Sequence, residues 1–391
     1  MTGIKELEYY SDKLFSRIDG WETRTLQRIG ARIKATGKLS QADRQALRNM
    51  ANLSRPMEQI YADLAQVTAR NVGDIRLMFT AIMRDVLDSA KPLYRARNMP
   101  IVPIEKNPWV QRLIDNWVRQ TSGTMINLTR TKALGFAKYN SYGMEVGYQG
   151  IGGAFQNAID SAAVAVTSGT TDINTAMRDV IKDLGGSGVR VVYASGVTRS
   201  LESMVRQNLI YASKQAAQDY TDHIGEEIGA DGFEVDYHGN PRPSHEFMQG
   251  KMFSLHGNKT INGVFYPDGA EALARMQDYG CRHFRMPVIL GVSEPAYNPQ
   301  ELARLKQKDS TPIEYNGQKK LPYEWTQEQR AIERAIRKQK NTYILAKSSG
   351  DDVLAKQSRE KFKALRQKYD DLCTGTGLQP TLERATVSGY R

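Results

Sequence analysis

The length, composition and charge of the chain limit what it can be. Its 391 residues exceed what one hydrophobic core usually organises, so two or three domains are expected. An apolar fraction of 40% and a charged fraction of 25% are typical of globular proteins and exclude a chain that is disordered throughout. The formal net charge of +11 favours polyanionic partners, either nucleic acid or an acidic protein surface.

Cysteine usage and targeting signals indicate the compartment. Two cysteines are too few for a disulfide framework and favour a reducing environment. No apolar run approaches the roughly 20 residues that a bilayer span needs. The segment Met1–Glu6 lacks the basic start and apolar stretch of a secretory signal. We therefore expect the protein to act in the cytoplasm, or in a particle assembled there, without a membrane partner.

Residues 1–188 are predicted to be mostly helical. Ser40 is a suitable N-cap, because its hydroxyl can accept hydrogen bonds from free amide groups. Apolar residues recur at helical spacing within Trp109–Tyr139, and another helix is predicted over Ala154–Asp183. Between these two stretches, the glycine-rich segment Gly147–Gly153 predicts a loop.

A second glycine cluster, Gly185–Gly188, is predicted to interrupt the helical region. Neither cluster fits a phosphate-binding loop. A P-loop ends in Gly-Lys-Ser/Thr, and a dinucleotide fingerprint runs from strand through glycines to helix. Here the order is reversed, because the β-like run Val189–Tyr193 follows the glycines. A hinge or a plain loop is the better interpretation.

Residues 189–300 are predicted to form a small α+β domain. An amphipathic helix is expected over Thr198–Tyr220. Its buried stripe has residues three and four apart, namely Leu201, Val205, Leu209, Ala212, Ala216 and Tyr220. The alternation of apolar and polar residues over Phe233–Tyr237 predicts a half-buried strand. The Asn262-Gly263 pair predicts a β-hairpin, and Met286–Val292 predicts a further strand or extended segment.

Residues 301–391 are predicted to form a basic helical hairpin. Thr326, with Gln329 three residues later, predicts a capped helix start, and Ser349–Asp352 is a tight connection to a second helix. The second helix has a heptad seam of Ala355, Ser358, Phe362, Leu365, Tyr369 and Leu372. This region holds 19 Lys/Arg and 12 Asp/Glu and therefore carries most of the net charge. Such a surface is either a solvated face or a contact for a polyanion or an acidic protein surface.

Two short motifs contain the residues with metal-binding chemistry. Arg242–Phe253 contains His245, and Gly280–His283 contains Cys281 as well as His283. The chain has only five histidines and two cysteines, so three of them in two motifs stand out. Imidazole and thiolate are the ligands that zinc prefers. His245, Cys281 and His283 are therefore the predicted metal ligands, with zinc as the cofactor they favour.

Alternatives to this metal site stay open at the level of sequence. A fourth ligand could be His238, Asp236 or water. Without a metal, Cys281 would simply be packed, as free cysteines often are. A catalytic zinc motif of the His-Glu-x-x-His type is excluded, because Gln249 stands at the second histidine position. Cys281 could act as a nucleophile with a histidine base, yet the sequence supplies no recognisable third member.

The order of the motifs resembles that of a known family. They are, along the chain, Val192–Gly196 with its following helix, the Arg-Pro-Ser-His and Gln-Gly-Lys box of 242–251, the Gly-Cys-Arg-His box of 280–283, Gly291–Pro295 and Gln329–Arg337. This ordered set resembles the phage minor capsid protein 2 family, which is similar to the Mu-F-like proteins of head morphogenesis. Related Mu-F-like domains have Cys-Arg-Cys where this chain has Cys281-Arg282-His283, so a donor stands at each end.

The resemblance implies a non-enzymatic virion component of a tailed phage or prophage. Such proteins assemble in the host cytoplasm, lie in the capsid interior near the portal vertex, and act in head morphogenesis and DNA packaging or ejection. The implied partners are the portal protein, the major capsid and scaffold proteins, and packaged double-stranded DNA. The family's His and Cys/His positions carry over to His245, Cys281 and His283.

The expected fold is α+β and predominantly helical. It comprises a helical N-terminal region that docks on the portal or scaffold, a small Mu-F-like central domain and an antiparallel helical hairpin. Two functions from other classes remain as alternatives. One is a metal- or thiol-dependent hydrolase that acts on nucleic acid or peptide during packaging. The other is a DNA-binding accessory protein, whose affinity would fall steeply with salt.

Overall fold

The computed structural model consists mainly of helices, with several small antiparallel sheets. It describes residues 3–36, 54–130, 134–139, 144–151, 154, 173–192, 198–278, 281–381, 385–387 and 390. This architecture confirms the predicted fold class, α+β and predominantly helical. The predicted N-cap Ser40 lies outside the described residues. None of the described helices combines the length and apolar character that crossing a bilayer requires.

Three N-terminal helices share one hydrophobic core with a later long helix. They are α1 (Gly3–Thr36), α2 (Ser54–Ala96) and α3 (Pro108–Arg130). The start of α3 follows from its sequence, because proline suits the first helical position. The side-chain oxygen of Asn107 accepts hydrogen bonds from the amides of Trp109 and Val110, which would otherwise lack partners.

A four-stranded antiparallel sheet follows, in the order β2-β1-β3-β4. Its strands are β1 (Leu134–Tyr139), β2 (Glu145–Gly150), β3 (Arg190–Val192) and β4 (Thr198–Ser200). The third strand confirms the β-like run after the second glycine cluster. The loop predicted at Gly147–Gly153 is wrong over its first half, which is strand. The helical stretch within Trp109–Tyr139 likewise ends at Arg130.

Pairing between distant segments explains these two errors. Phe136 lies opposite Gln149, and Leu134 lies opposite Val191 in the third strand. Strand preference depends on such cross-strand packing more than on local composition. A glycine-rich run read in isolation therefore gives no sign of the sheet that it joins.

The helix α4 (Ile173–Ser187) runs through Gly185 and Gly186, so the predicted break at Gly185–Gly188 is wrong except at its last residue. Gly188 has a left-handed φ of 61°. An added Cβ at Gly185 would lie 2.7 Å from the Cα of Thr342 in the later helix α8 (Pro322–Ser349). This glycine therefore permits close packing of two helices. Most of the predicted helix Ala154–Asp183 lies outside the described residues.

The long helix α5 (Leu201–Ile228) is the predicted amphipathic helix, extended by two turns. All six predicted stripe residues are buried, which confirms its inward face. Ser200 caps its start by accepting from the amide of Ser203. Gly229, with a φ of 66°, ends it in the left-handed conformation that helix C-termini favour.

A three-stranded antiparallel sheet, in the order β6-β5-β9, forms the centre of the next region. Its strands are β5 (Gly232–Val235), β6 (Met252–Ser254) and β9 (Arg285–Val288). The predicted hairpin is confirmed as β7 (Lys259–Ile261) and β8 (Val264–Tyr266). Asn262 and Gly263 both have positive φ, as a two-residue hairpin turn requires. The short helix α6 (Ala270–Met276) follows.

The prediction that β5 is half-buried is wrong, because its polar residues are buried too. Glu234 is 6% exposed and Asp236, just after the strand, is 4% exposed. Both carboxylates accept backbone amides of covering segments: Glu234 from Ala296, and Asp236 from Phe284 at 2.7 Å. Buried carboxylates need such partners, and period-two patterning does not reveal them.

The C-terminal region confirms the predicted helical hairpin. After α7 (Pro299–Ser310) and the strand pair β10 (Ile313–Tyr315) and β11 (Gln318–Lys320), α8 is followed by α9 (Asp352–Thr376). Four of the six seam residues are buried; Phe362 and Leu365 are partly buried. The cap predicted at Thr326 is wrong, because α8 begins at Pro322. Its N-cap is Leu321, whose amide donates to the carboxylate of Glu324 three residues later.

The hairpin packs against the N-terminal helices through a buried ion cluster. Arg337 of α8 donates to Asp19 at 2.6 Å and to Glu22 at 3.2 Å, both in α1. The other carboxylate oxygen of Glu22 accepts the amide of Val189, just before β3. Contacts thus cross the predicted boundaries at 188/189 and 300/301. The division into 1–188, 189–300 and 301–391 remains a prediction.

Replacing Arg337 by methionine should strongly destabilise the protein. The change keeps most of the side-chain volume and removes the guanidinium that pairs with the buried carboxylates of Asp19 and Glu22. Breaking a buried pair in this way costs about 3–5 kcal/mol of unfolding free energy. The matched control is Arg366→Met, which removes an exposed pair with Asp370 and should cost less than about 1 kcal/mol. Urea unfolding measures both, and equal losses would contradict the assigned role of the cluster.

Candidate metal centre

Segments of the central region bring the three predicted donors together. His245 lies in a 3₁₀ helix, Pro243–Met248, whose first residue has the fixed φ of proline. Cys281 and His283 lie in the segment between α6 and β9. All three are buried, with exposed fractions of 2%, 8% and 1%.

The central sheet fixes how these segments approach each other. The amide of Gly250, after the 3₁₀ helix, donates to Val235 O at 2.9 Å. The amide of Asp236 donates to Phe284 O at 2.9 Å, and its carboxylate accepts the amide of Phe284 in return. Both donor-bearing segments are therefore hydrogen-bonded to the end of β5.

The donor atoms lie close enough to share one ion. His245 Nδ1 is 3.3 Å from His283 Nδ1, and Cys281 Sγ is 3.6 Å from the same His283 nitrogen. Among the residues that the structure describes, these three form a group whose ligand atoms all lie within 4.8 Å of one another. The structure thus brings together all three residues that the sequence singles out.

His245 and His283 each have a hydrogen-bond acceptor at Nε2, the ring nitrogen that faces away from the other donors. His245 Nε2 is 3.0 Å from Asp278 Oδ2, and His283 Nε2 is 3.1 Å from Gln249 Oε1. Gln249 also accepts the amide of His238 at 3.0 Å, and this fixes its orientation because a backbone amide can only donate. Both imidazoles therefore place their protons on Nε2 and direct an Nδ1 lone pair inward.

Sequence reasoning missed the roles of Asp278 and Gln249. Gln249 enters the sequence argument only as the residue that breaks a catalytic zinc motif, yet it lies four residues after His245, against His283. Asp278 precedes Cys281 by three residues, and its carbonyl accepts the Cys281 amide at 2.9 Å. Polar residues three or four positions from a predicted ligand were the available signal.

Neither proposed fourth ligand joins the group of described residues. The ring of His238 lies against the ring of His283, with centroids 4.1 Å apart, while its Nδ1 faces the carbonyl of Gly239. The Asp236 carboxylate is engaged with the Phe284 amide. The residues that the structure describes therefore supply three donors to this group.

A lysine connects this centre to the long helix α5. Lys214 Nζ donates to the carbonyls of Met276 at 2.8 Å and Cys281 at 3.4 Å. Burial lowers the pKa of Lys214, although its ammonium remains hydrogen-bonded. The segment that carries Cys281 is therefore held from outside the central sheet as well.

Burial dominates the electrostatics around the centre. It lowers the pKa of His283 to about 2, helped by the nearby His238, His245 and Lys214. Burial also lowers the pKa of His238 and raises the pKa of Asp236 to about 7. A neutral His283 is a suitable metal ligand, because ligating imidazoles must be unprotonated at the binding nitrogen.

The same features disfavour a cysteine-based active site. A catalytic thiol needs substrate access and a neighbouring base with a pKa near the working pH. Cys281 is 8% exposed, and its Sγ lies 3.6 Å from Nδ1 of His283, whose pKa is lowered to about 2. The arrangement suits ligation better than nucleophilic attack.

Comparisons with known proteins give one match. A family model described as Phage minor capsid protein 2 matches residues 6–374, which is nearly the whole chain. The searches of curated proteins and of solved structures gave no match. The matched range includes the N-terminal helices, the candidate metal centre and the helical hairpin.

Replacing Asp236 by asparagine should reduce the loss of stability as pH rises. The folded-state pKa of about 7 lies above the ordinary 3.8. The folded protein therefore binds more protons than the unfolded chain between these values, and stability falls as pH rises from about 4 to 7. The side chain of asparagine still offers an oxygen to the backbone amide of Phe284. Because it does not titrate, it removes the pH dependence that Asp236 causes. Thermal unfolding at pH 5 and pH 8 tests it, and parallel losses in both proteins would contradict it.

Proposed function

The chain belongs to the phage minor capsid protein 2 family, and from this membership we propose that it is a portal-associated minor head protein acting in head morphogenesis. Family membership makes it a phage minor capsid protein and a component of the virion. The single observation that carries the proposal is the extent of the family match, residues 6–374. Position near the portal vertex, inside the capsid, follows from the proposed role.

The central region is proposed to be a Mu-F-like domain that serves as the folded core of the protein. Two features support this proposal. His245 from the first motif, with Cys281 and His283 from the second, forms one buried cluster at the end of strand β5. Helix α5 also joins this cluster to the N-terminal helices, through Lys214 on one face and the buried stripe on the other.

The N-terminal helices are proposed to contact the portal or the scaffold. Helix α2 carries two large apolar residues that are exposed among the residues that the structure describes. Leu77 is 58% exposed and Val72 is 37% exposed. Gly73 lies one helical turn before Leu77, on the same face, and a Cβ added to it would meet nothing within 4 Å. Gly73 and Leu77 thus form a small exposed apolar strip, a feature that protein contacts use.

The outer face of α9 is proposed to contact packaged DNA. Several basic residues of the hairpin and the segment before it make contacts within the chain: Arg337 with Asp19, Lys347 with Asp352, Arg366 with Asp370, Lys320 with Glu328, and Lys340 with the carbonyl of Ala385. Lys356, Arg359 and Lys363 are exposed and belong to no ion pair among the described residues. Their spacing places them on one helix face, over about 10 Å.

No enzymatic activity is part of the proposal. The buried thiol and the neutral His283 argue against a thiol-dependent hydrolase. The alternative of a DNA-binding accessory protein differs from the proposal only in lacking a place in the capsid. Particle composition therefore discriminates between them.

The protein should co-purify with proheads and with the co-expressed portal protein. Leu77→Asp should weaken portal capture at least tenfold, because it places a charge in the apolar strip of α2. Val353→Asp is the matched control, since Val353 is 55% exposed on α9, outside that strip. Quantitative immunoblotting of purified particles and of portal pull-downs measures both. Absence from proheads and virions would overturn the proposed function, and equal capture of the two variants would overturn the assigned contact.

Removing the α9 cations should weaken duplex DNA binding and its salt dependence together. Each lost phosphate contact reduces the slope of log K against log salt by about 0.9, so Lys356→Gln/Arg359→Gln/Lys363→Gln should reduce it by roughly 2–3. Lys347→Gln is the control, because its ammonium is paired with Asp352. Fluorescence anisotropy at several salt concentrations measures the slopes. An unchanged slope in the triple variant would assign the basic face to an acidic protein partner.

A further inference from the structure

We infer that His245, Cys281 and His283 bind one zinc-class divalent ion, with Asp278 and Gln249 orienting the two imidazoles and a water completing the site. The ion would join the 3₁₀ helix to the segment before β9. This inference concerns the integrity of the central region and does not depend on the proposed place in the virion.

The spacing of the donor atoms matches tetrahedral coordination. Two nitrogens at about 2.0–2.1 Å from one zinc ion are about 3.4 Å apart at the tetrahedral angle, and a sulfur at about 2.3 Å lies about 3.6 Å from either nitrogen. The observed His245–His283 and Cys281–His283 separations are 3.3 and 3.6 Å. Two of the three donor separations therefore agree with one ion at a common centre, and all the ligand atoms lie within 4.8 Å of one another.

The hydrogen bonds outside the centre require something between the two rings. The acceptors Asp278 and Gln249 hold protons on the outer nitrogens, so two Nδ1 lone pairs face each other at 3.3 Å. Such a contact is repulsive in a buried site unless a cation or a proton lies between them. Metal-ligating histidines characteristically donate their other N–H to a carboxylate or a carbonyl oxygen, as both histidines do here.

A metal ion explains why Cys281 lies beside the two histidines, whereas a proton shared between His245 and His283 does not. A proton on His245 Nδ1 could be donated to His283 Nδ1, with Asp278 balancing the charge. However, His283 Nδ1 has one in-plane lone pair and two close neighbours, His245 Nδ1 and Cys281 Sγ. A single lone pair accepts poorly from both, whereas one ion binds all three atoms. Binding would release the thiol proton of Cys281, which ligates as thiolate.

The direct test is metal content in protein purified without a histidine tag. Elemental mass spectrometry should find about one zinc per chain in the wild type. The control variant Cys373→Ser, which changes the other buried cysteine, should contain the same amount. Cys281→Ser and His283→Ala should lose it. Replacement by cobalt should give a thiolate charge-transfer band that Cys281→Ser lacks. Equal metal in the wild type and Cys281→Ser, or no uptake by wild type refolded with added zinc, would overturn the inference.

A second variant keeps the test valid if core substitutions fail to fold. Asp278 is about one third exposed, and its turn depends on the backbone carbonyl, so Asp278→Ala should fold. Loss of this outer partner should weaken zinc affinity 10–100-fold, as measured by competition with a chelating dye. Asp371→Ala, an exposed carboxylate on α9, is the matched control. Equal affinity in the two variants would contradict the role of Asp278.

Discussion

Helix α5 packs against the N-terminal helices on one side and against the central sheet on the other. The arrangement of these two regions depends on this helix. Its apolar stripe completes the core of the N-terminal helices. Its opposite side is polar and holds the central sheet: Gln218 accepts the amide of Arg285, and Asp222 accepts its guanidinium at 2.6 Å. Lys214 adds its bonds to the Cys281 segment. A helix fixed on both sides leaves the donor segments little freedom to separate.

Buried polar groups, more than apolar area, specify how the regions meet. Arg337 with Asp19 and Glu22 sets the position of α8 against α1. Glu333, Tyr369 and Thr381 form a second buried network between α8, α9 and the segment after them. Such networks are costly when a member is missing, because the remaining group loses water without gaining a partner. They therefore favour one packing over alternatives of similar apolar burial.

The sequence predicts local features correctly and misses features that depend on distant parts of the chain. The stripe of α5, the Asn262-Gly263 turn and the hairpin of α8 and α9 are local or periodic features, and each is confirmed. The strand at Glu145–Gly150 and the buried Asp236 depend on partners far away in the chain, so glycine content and period-two alternation gave wrong predictions there. Rare residue types pointed to His245, Cys281 and His283, whereas common residues such as Gln249 acquire a role only through the fold.

The distribution of charge connects the fold to the proposed role. Cations that stabilise the fold are buried or paired, as with Arg337 and Lys214, and are not available to a partner. The surplus that remains on α9 is exposed, on the side of the hairpin away from its seam. The apolar strip on α2 and the basic face on α9 are thus separate surfaces on different helices. In the proposed role they would contact the portal protein and DNA respectively, so the two partners would not compete for one surface.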